Sequence, residues 1–161
     1  MQLIRTINLK KGVIQMRKGL LVISVLVALL AMSGQASADS ITLNFANDAL
    51  SAYPAPYADV TYTCAANVCN FTVTGATTGG YTYLLGGAQM FGVNFNEAVT
   101  LSGFSSVDMS SGGSANVNGF GVFSATIDNF DGFTHALSTF SFTATGAGGT
   151  TLGLAPNASD F

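Results

Sequence analysis

Two cysteines carry the clearest chemistry in this chain. Cys64 and Cys69 are its only thiols, and the turn-forming segment Ala65-Ala66-Asn67 lies between them. Their spacing differs from the Cys-x-x-Cys of redox enzymes, and a zinc site would need two further ligands that a single histidine cannot supply. In an exported chain the oxidising compartment favours pairing of such cysteines. We therefore predict a structural disulfide between Cys64 and Cys69 across the end of a β-hairpin.

A second cluster consists of oxygen ligands, in the segment Asp128-Asn129-Phe130-Asp131-Gly132. Extracellular modules can bind calcium weakly through dense oxygen ligands, so Asp128 and Asp131 are candidate calcium ligands. The spacing is not that of an EF-hand loop, whose twelfth position is Glu and is Thr139 here. The competing interpretation is a turn in which Asp and Asn accept hydrogen bonds from backbone amides beside a glycine. No other cofactor is expected.

Catalytic groups are sparse in this sequence. His135 is the only histidine, and a Ser–His–Asp arrangement would need both partners and oxyanion donors close to it. The sequence lacks the Gly-x-Ser-x-Gly motif of a nucleophile elbow, and its scattered carboxylates single out no pair of the kind that a glycosidase uses. We expect His135 to be a loop or surface side chain and the protein not to be an enzyme.

Four tyrosines form the remaining candidate binding group. They are Tyr53, Tyr57, Tyr81 and Tyr83. Exposed aromatic rings can stack on sugar rings, because a flat apolar ring with a polar hydroxyl matches a surface that is partly apolar and partly hydroxylated. The competing interpretation is that these rings serve as core packing and as aromatics at a sheet edge.

The N-terminal segment has the pattern of an export signal. Basic Arg17-Lys18 precedes the uncharged run Leu20–Met32, and small residues follow up to Ala36-Ser37-Ala38. As a helix the apolar run spans only about 20 Å, which is short of the roughly 30 Å hydrocarbon core of a membrane. We predict a signal-peptide helix within residues 1–38, with cleavage after Ala38 directed by Ala36 and Ala38. Met16 stands directly before the basic stretch, and we expect translation to start there.

Charge is divided sharply at the predicted cleavage site. All five Lys and Arg residues lie in the first 38 positions, and all eight Asp and Glu residues lie after them. Nucleic-acid binding depends on Lys and Arg contacts to phosphates, so nucleic acid is excluded as a partner. Anionic membrane surfaces are disfavoured for the same reason, and no membrane contact is expected after cleavage. The predicted location is extracellular or at the cell surface, with the periplasm as the alternative.

The exported part of the chain alternates apolar and polar residues with a period of two. Such alternation predicts antiparallel strands with one buried face. It occurs at 41–45, 60–64, 70–74, 91–95, 123–127 and 140–145. We predict an all-β fold, a jelly-roll-like antiparallel β-sandwich of seven to nine strands over residues 39–145, with Phe123, Ile127, Phe140 and Phe142 buried on facing strands. The Gly/Ser-rich stretches 75–88 and 110–118 are expected to be loops, and residues 146–161 a fraying Gly-rich tail.

Several segments of the sequence resemble segments found in a known protein family. They are Tyr83–Ala88, Gly119–Phe123, Ile127–Phe133 and Ser141–Thr145, within a resemblance from Ile41 to Asn157. In these segments the chain resembles exported bacterial proteins of the PEP-CTERM family. The resemblance implies a secreted or surface protein of Gram-negative bacteria that make exopolysaccharide or biofilm. Those proteins normally end in a Pro-Glu-Pro motif, a transmembrane helix and a basic cluster, whereas this sequence stops at Asp160-Phe161. Truncation and a released, unanchored relative are both consistent with that ending.

The function expected from these features is a non-enzymatic one. We predict a secreted or cell-surface structural protein of an extracellular matrix, with exopolysaccharide or another matrix component as its partner. The alternative is a small extracellular carbohydrate-binding module that uses the tyrosines listed above.

Overall fold

The computed structural model describes residues 38–45, 50–130, 133–148 and 150–156. All of these described residues belong to one compact unit. Residues 1–37 of the predicted signal peptide, including Ala36, lie outside the described residues, and so does Asp131 of the calcium prediction. Ala38, the last residue of the predicted signal peptide, is described and is the first residue of a strand.

The described residues form ten strands and one short 3₁₀ helix, Phe133–His135. The strands are β1 (Ala38–Leu43), β2 (Ala58–Ala65), β3 (Val68–Gly75), β4 (Thr77–Thr78), β5 (Tyr81–Thr82), β6 (Phe91–Val93), β7 (Val99–Ser102), β8 (Met109–Val117), β9 (Gly121–Asn129) and β10 (Thr139–Gly146). Five strands form a sheet in the order β1-β2-β3-β10-β7, three form a sheet in the order β6-β9-β8, and β4 pairs with β5. Every pairing is antiparallel, which confirms the predicted all-β fold.

Aromatic rings join the two larger sheets into a sandwich. Phe71 of β3 stacks on Phe142 of β10 with a centroid distance of 4.7 Å within the five-stranded sheet. From the three-stranded sheet, Phe91 contacts Phe140 at 6.0 Å and Phe142 at 5.9 Å. The ring of Phe95, which follows β6, meets Phe71 edge-on at 5.9 Å. The core therefore lies between the sheets, as the alternating pattern predicts.

The inward face of the two central strands is buried as predicted, and one residue of β9 is an exception. Phe140 and Phe142 are each 2% exposed, and Ile127 of β9 is fully buried. Phe123 is only half-buried, because it lies near the start of β9, where its ring covers the backbone of Gly92. A Cβ on Gly92 would lie 2.7 Å from that ring, so glycine allows this close packing.

Residues 110–117 of the stretch 110–118 are a strand and not the predicted loop. They form most of β8, which pairs with β9 along its length. At Ser111-Gly112-Gly113, within this stretch, the pairing with β9 shifts in register and the chain does not reverse. Gly113 has a φ of +69°, a backbone conformation that residues with a Cβ rarely adopt. Glycine in a strand can indicate a bulge as well as a turn, and here it indicates a bulge.

The predicted C-terminal tail is part of the domain through residue 156. Leu152 is 1% exposed, and its amide donates a hydrogen bond to the carbonyl oxygen of Ala66 at 2.9 Å. Leu154 forms a bridge with Phe95, and Gly146 ends β10 instead of beginning a free segment. Although the segment is Gly-rich, Leu152 and Leu154 attach it to the sandwich.

The apolar side of β1 is exposed, which corrects the prediction of a buried face. Ile41 is 42% exposed, Leu43 is 36% exposed and Phe45 is 83% exposed. The cause is position, because β1 is the outermost strand of the five-stranded sheet and the facing sheet has only three strands.

Candidate functional site

The four candidate tyrosines lie together and form what we call the tyrosine patch, defined by Tyr53, Tyr57, Tyr81 and Tyr83. Two edge-to-face pairs build it. Tyr53 and Tyr81 have ring centroids 5.1 Å apart, and Tyr57 and Tyr83 have centroids 5.2 Å apart. Each pair joins one ring from the segment before β2 to one ring in or just after β5.

Backbone hydrogen bonds fix the segments that carry the patch. The amide of Tyr57 donates to the carbonyl oxygen of Leu43 at 2.9 Å, which holds the entry to β2 against the end of β1. The carbonyl of Tyr57 accepts from the amide of Ala76 at 3.0 Å, and the amide of Tyr83 donates to the carbonyl of Ala76 at 2.9 Å. Ala76 is thus the common anchor of the two segments.

A tight hairpin presents Tyr81 to the patch. Gly79 and Gly80 connect β4 to β5, with φ values of +57° and +84° that suit a two-residue hairpin turn. A Cβ on Gly79 would clash with the ring of Pro54, so the hairpin lies directly against the segment that carries Tyr53. The hairpin lies within the stretch 75–88, which is predicted to be a loop, although two glycines between Thr-rich flanks are a recognised hairpin signal.

Two tyrosines act as supports for the patch. The Tyr83 hydroxyl donates a hydrogen bond to the carbonyl oxygen of Pro54 at 2.6 Å. The Tyr57 hydroxyl lies 3.0 Å from the carbonyl oxygen of Tyr53 and 3.3 Å from that of Leu50. Both residues are half-buried, so their rings and hydroxyls are used largely inside the protein.

The other two tyrosines face solvent. Tyr53 is 43% exposed and Tyr81 is 48% exposed. Within the described ranges, neither hydroxyl has a hydrogen-bond partner, and both are therefore available to a ligand. Residues 50–57 and 76–83 contain no Asp, Glu, Lys or Arg. The patch thus offers aromatic surface and neutral hydroxyls, a combination suited to an uncharged polyhydroxylated ligand.

The patch also alters the ionisation of one of its members. Burial raises the pKa of Tyr83 above its ordinary value of 10.0, and the neighbouring Tyr57, Tyr81 and Tyr53 raise it further. Tyr83 therefore remains a protonated hydrogen-bond donor throughout the neutral range, and its hydrogen bond to Pro54 persists there.

The two cysteines form a disulfide, with an S–S distance of 1.98 Å and a Cα–Cα distance of 4.1 Å. Cys64 on β2 and Cys69 on β3 are directly opposite in the register. Cys69 is fully buried. The turn that this bond closes also holds the end of β10, since the backbone carbonyl oxygen of Asn67 accepts a hydrogen bond from the amide of Gly146 at 2.8 Å. The bond is therefore positioned for a structural role.

The structure describes one of the two candidate calcium ligands. The Asp128 carboxylate accepts a hydrogen bond from the amide of Gln89 at 2.7 Å, in keeping with the competing interpretation of a backbone-capping carboxylate. Asn129 behaves similarly, because its side chain accepts from the amide of Phe130 and donates to the carbonyl of His135. Within the described ranges no three His, Cys, Asp or Glu side chains are grouped to hold a metal ion. Calcium binding by Asp128 with Asp131 stays a prediction.

His135 pairs with an acidic side chain at the surface. Its Nδ1 lies 3.1 Å from Oδ2 of Asp108, and both side chains are 36% exposed. The ring also contacts Phe130, with centroids 4.7 Å apart. In the part of the chain that the structure describes, no serine hydroxyl is hydrogen-bonded to this ring, so the pair lacks the nucleophile of a catalytic triad.

None of the helical structure in the described ranges is long and apolar enough to span a membrane. Comparison of the chain with protein-family models, with curated proteins and with solved structures finds no match.

Proposed function

We propose that this domain is a non-enzymatic component of an extracellular polysaccharide matrix and that it binds polysaccharide through the tyrosine patch. The observation that carries the proposal is the pairing of Tyr53 with Tyr81, two exposed rings with unpartnered hydroxyls in the described structure. Tyr57 and Tyr83 support this pair by hydrogen bonds to backbone carbonyls. A preformed aromatic surface loses little conformational entropy on binding, which favours affinity.

The chemistry of the chain favours an uncharged polysaccharide. Residues 39–161 carry all eight acidic side chains and no Lys or Arg, so a polyuronate or sulfated polymer would be repelled. A neutral glucan, mannan or galactan needs no charge partner and presents both C–H faces and hydroxyls to the tyrosines.

The proposed setting is outside the cytoplasm. The pattern that ends at Ala36-Ser37-Ala38 supports export through a cleaved signal peptide. The Cys64–Cys69 disulfide is compatible with an oxidising compartment. The resemblance to PEP-CTERM proteins adds an exopolysaccharide-producing host to this proposal and stays a prediction.

Affinity electrophoresis tests the proposal. The protein is run through native gels that contain neutral glucans, mannans or galactans, with a polyuronate gel as the charged comparison. We expect at least one neutral polymer to retard the protein, and we expect Tyr53→Ala and Tyr81→Ala to lose that retardation. Phe130→Ala is the matched control, because Phe130 is an aromatic residue that is 61% exposed and lies outside the patch. Equal mobility of the wild type and both tyrosine variants in every gel would reject the proposal.

A further inference from the structure

The outer edge of β1 pairs with no other strand among the described residues. On its other side β1 pairs with β2. All six residues of β1 are exposed, and the strand contains neither Lys nor Pro, two residues with which natural proteins commonly block a sheet edge. An edge of this kind is a template for another strand.

The backbone groups available at this edge can be identified from two observations. The carbonyl of Leu43 points toward the β2 side, because it accepts a hydrogen bond from the amide of Tyr57, the residue directly before β2. The 4.1 Å Cα separation of Cys64 and Cys69 marks a non-hydrogen-bonded pair between β2 and β3, so the backbone groups of Cys64 point toward β1. Every second residue of β2 shares this orientation. The residues of β1 that pair with them, Ile41 and Leu43, therefore direct their own backbone groups toward β2. The groups of Ser40 and Thr42 therefore face the outer edge, where the carbonyl oxygen of Thr42 accepts one hydrogen bond from the side-chain amide of Asn44 at 3.3 Å and keeps a second lone pair for another donor.

We propose that a second copy of this chain pairs with this edge through its own β1, antiparallel and about a twofold axis at Ile41. In this register Ser40 of one copy lies opposite Thr42 of the other, so the outward backbone groups of both strands hydrogen-bond across the axis. The register uses residues 39–43 of each copy, all of which lie within β1. Two five-stranded sheets then join into one.

The side chains of β1 favour a second copy as the occupant. The two Ile41 side chains meet on the apolar side of the strand, beside Leu43, and both are partly exposed in the single chain. Asp39 is the only charged residue of β1, and the register places it opposite Leu43 of the other copy. No carboxylate therefore faces a carboxylate across the axis. The remaining obstacle is the overall negative charge, which salt screens.

Cysteine cross-linking tests both the partner and the register. Ile41→Cys in the full chain places two thiols at the proposed axis, where a non-hydrogen-bonded pair has Cα atoms about 4.5 Å apart, within the range of a disulfide. Under mild oxidation at high salt we expect a covalent dimer from this variant. Val107→Cys is the control, because Val107 is fully exposed in a turn, and we expect it to remain monomeric.

Sedimentation velocity gives a second, non-covalent readout. We expect concentration-dependent dimerisation of the wild type that Ile41→Lys and Leu43→Lys abolish and that Val107→Lys, with the same change in charge, leaves intact. Circular dichroism confirms that each variant is folded. Equal cross-linking of the two cysteine variants, or unchanged association of both β1 lysine variants, would overturn the proposal.

Discussion

The hydroxyl of Tyr83 donates a hydrogen bond to the carbonyl oxygen of Pro54 at 2.6 Å and so joins two segments that are 29 residues apart in sequence. One segment leads into β2 and carries Tyr53, and the other follows the β4–β5 hairpin that carries Tyr81. The proposed ligand-binding rings lie on either side of this contact.

Replacing Tyr83 by Phe removes this hydrogen bond and leaves the ring in place. We expect the free energy of unfolding to fall by about 1 kcal/mol, the usual net value of such a bond when the acceptor loses its donor. Tyr81→Phe is the matched control, since the Tyr81 hydroxyl has no partner in the described structure, and its expected loss is below about 0.5 kcal/mol. Urea denaturation measures both values, and equal losses would show that the hydroxyl of Tyr83 has no structural role.

The raised pKa of Tyr83 predicts a loss of stability at alkaline pH. Its causes are burial first and then the neighbouring tyrosines of the patch. A group whose pKa is higher in the folded state contributes stability that is complete below its unfolded pKa of 10.0 and is lost as pH rises through the folded value. Titration of tyrosinate absorbance should show a late-ionising component in the folded protein, and Tyr83→Phe should reduce that component. Ionisation of all five tyrosines together near 10 would contradict this expectation.

The Cys64–Cys69 disulfide predicts a protein without free thiols. Labelling of the denatured, unreduced protein should detect none, whereas two reactive thiols would show that the bond is absent in solution. The double variant Cys64→Ala/Cys69→Ala should lose about 2 kcal/mol of stability, the chain-entropy value for so short a loop. Reduction of the wild type provides the control, because it should produce a similar loss without changing any side-chain volume by substitution.

The close packing around Gly112 in β8 predicts that alanine is tolerated less well there than at Gly153, which lies after β10. A Cβ on Gly112 would lie 2.5 Å from the hydroxyl oxygen of Thr126 and 2.9 Å from both carboxylate oxygens of Asp128. We expect Gly112→Ala to cost about 1–3 kcal/mol, the range for forcing extra volume into packed structure. Gly153→Ala is the control, since its nearest neighbour is a side-chain nitrogen of Asn96 at 3.9 Å, and thermal melts should show little change. A neutral Gly112→Ala variant would mean that β8 is looser than described.

The strands could be predicted from sequence where both sheets contribute to the core. Phe140 and Phe142 alternate with Ser and Thr because β10 is central in its sheet and faces the other sheet. The same alternation at Ile41 and Leu43 predicts burial that does not occur, since alternation fixes which side of a strand is apolar and not whether another sheet covers it. Glycine has a similar ambiguity, because its freedom serves a turn and a bulge equally well.

The candidate site was predictable as a set of residues but not as an arrangement. Aromatic type identified the four tyrosines, whereas their proximity depends on Ala76 as a shared anchor and on the close approach of Gly79 to Pro54. Those contacts are long-range, and short-range periodicity carries no information about them. The burial of Leu152 depends in the same way on Ala66, which lies in the distant β2–β3 turn.

Tyrosine fluorescence provides the most direct test of polysaccharide binding by the patch. The protein has no Trp, and four of its five tyrosines form the patch, so a bound polymer should change the emission directly. Titration with the neutral polysaccharide that retards the protein best should give a saturable change. The double variant Tyr53→Ala/Tyr81→Ala should bind the same polymer at least about tenfold more weakly, equivalent to about 1.4 kcal/mol. Its binding is measured by affinity electrophoresis, because the variant lacks two of the reporting tyrosines. Retention of wild-type affinity by a folded double variant would contradict the account.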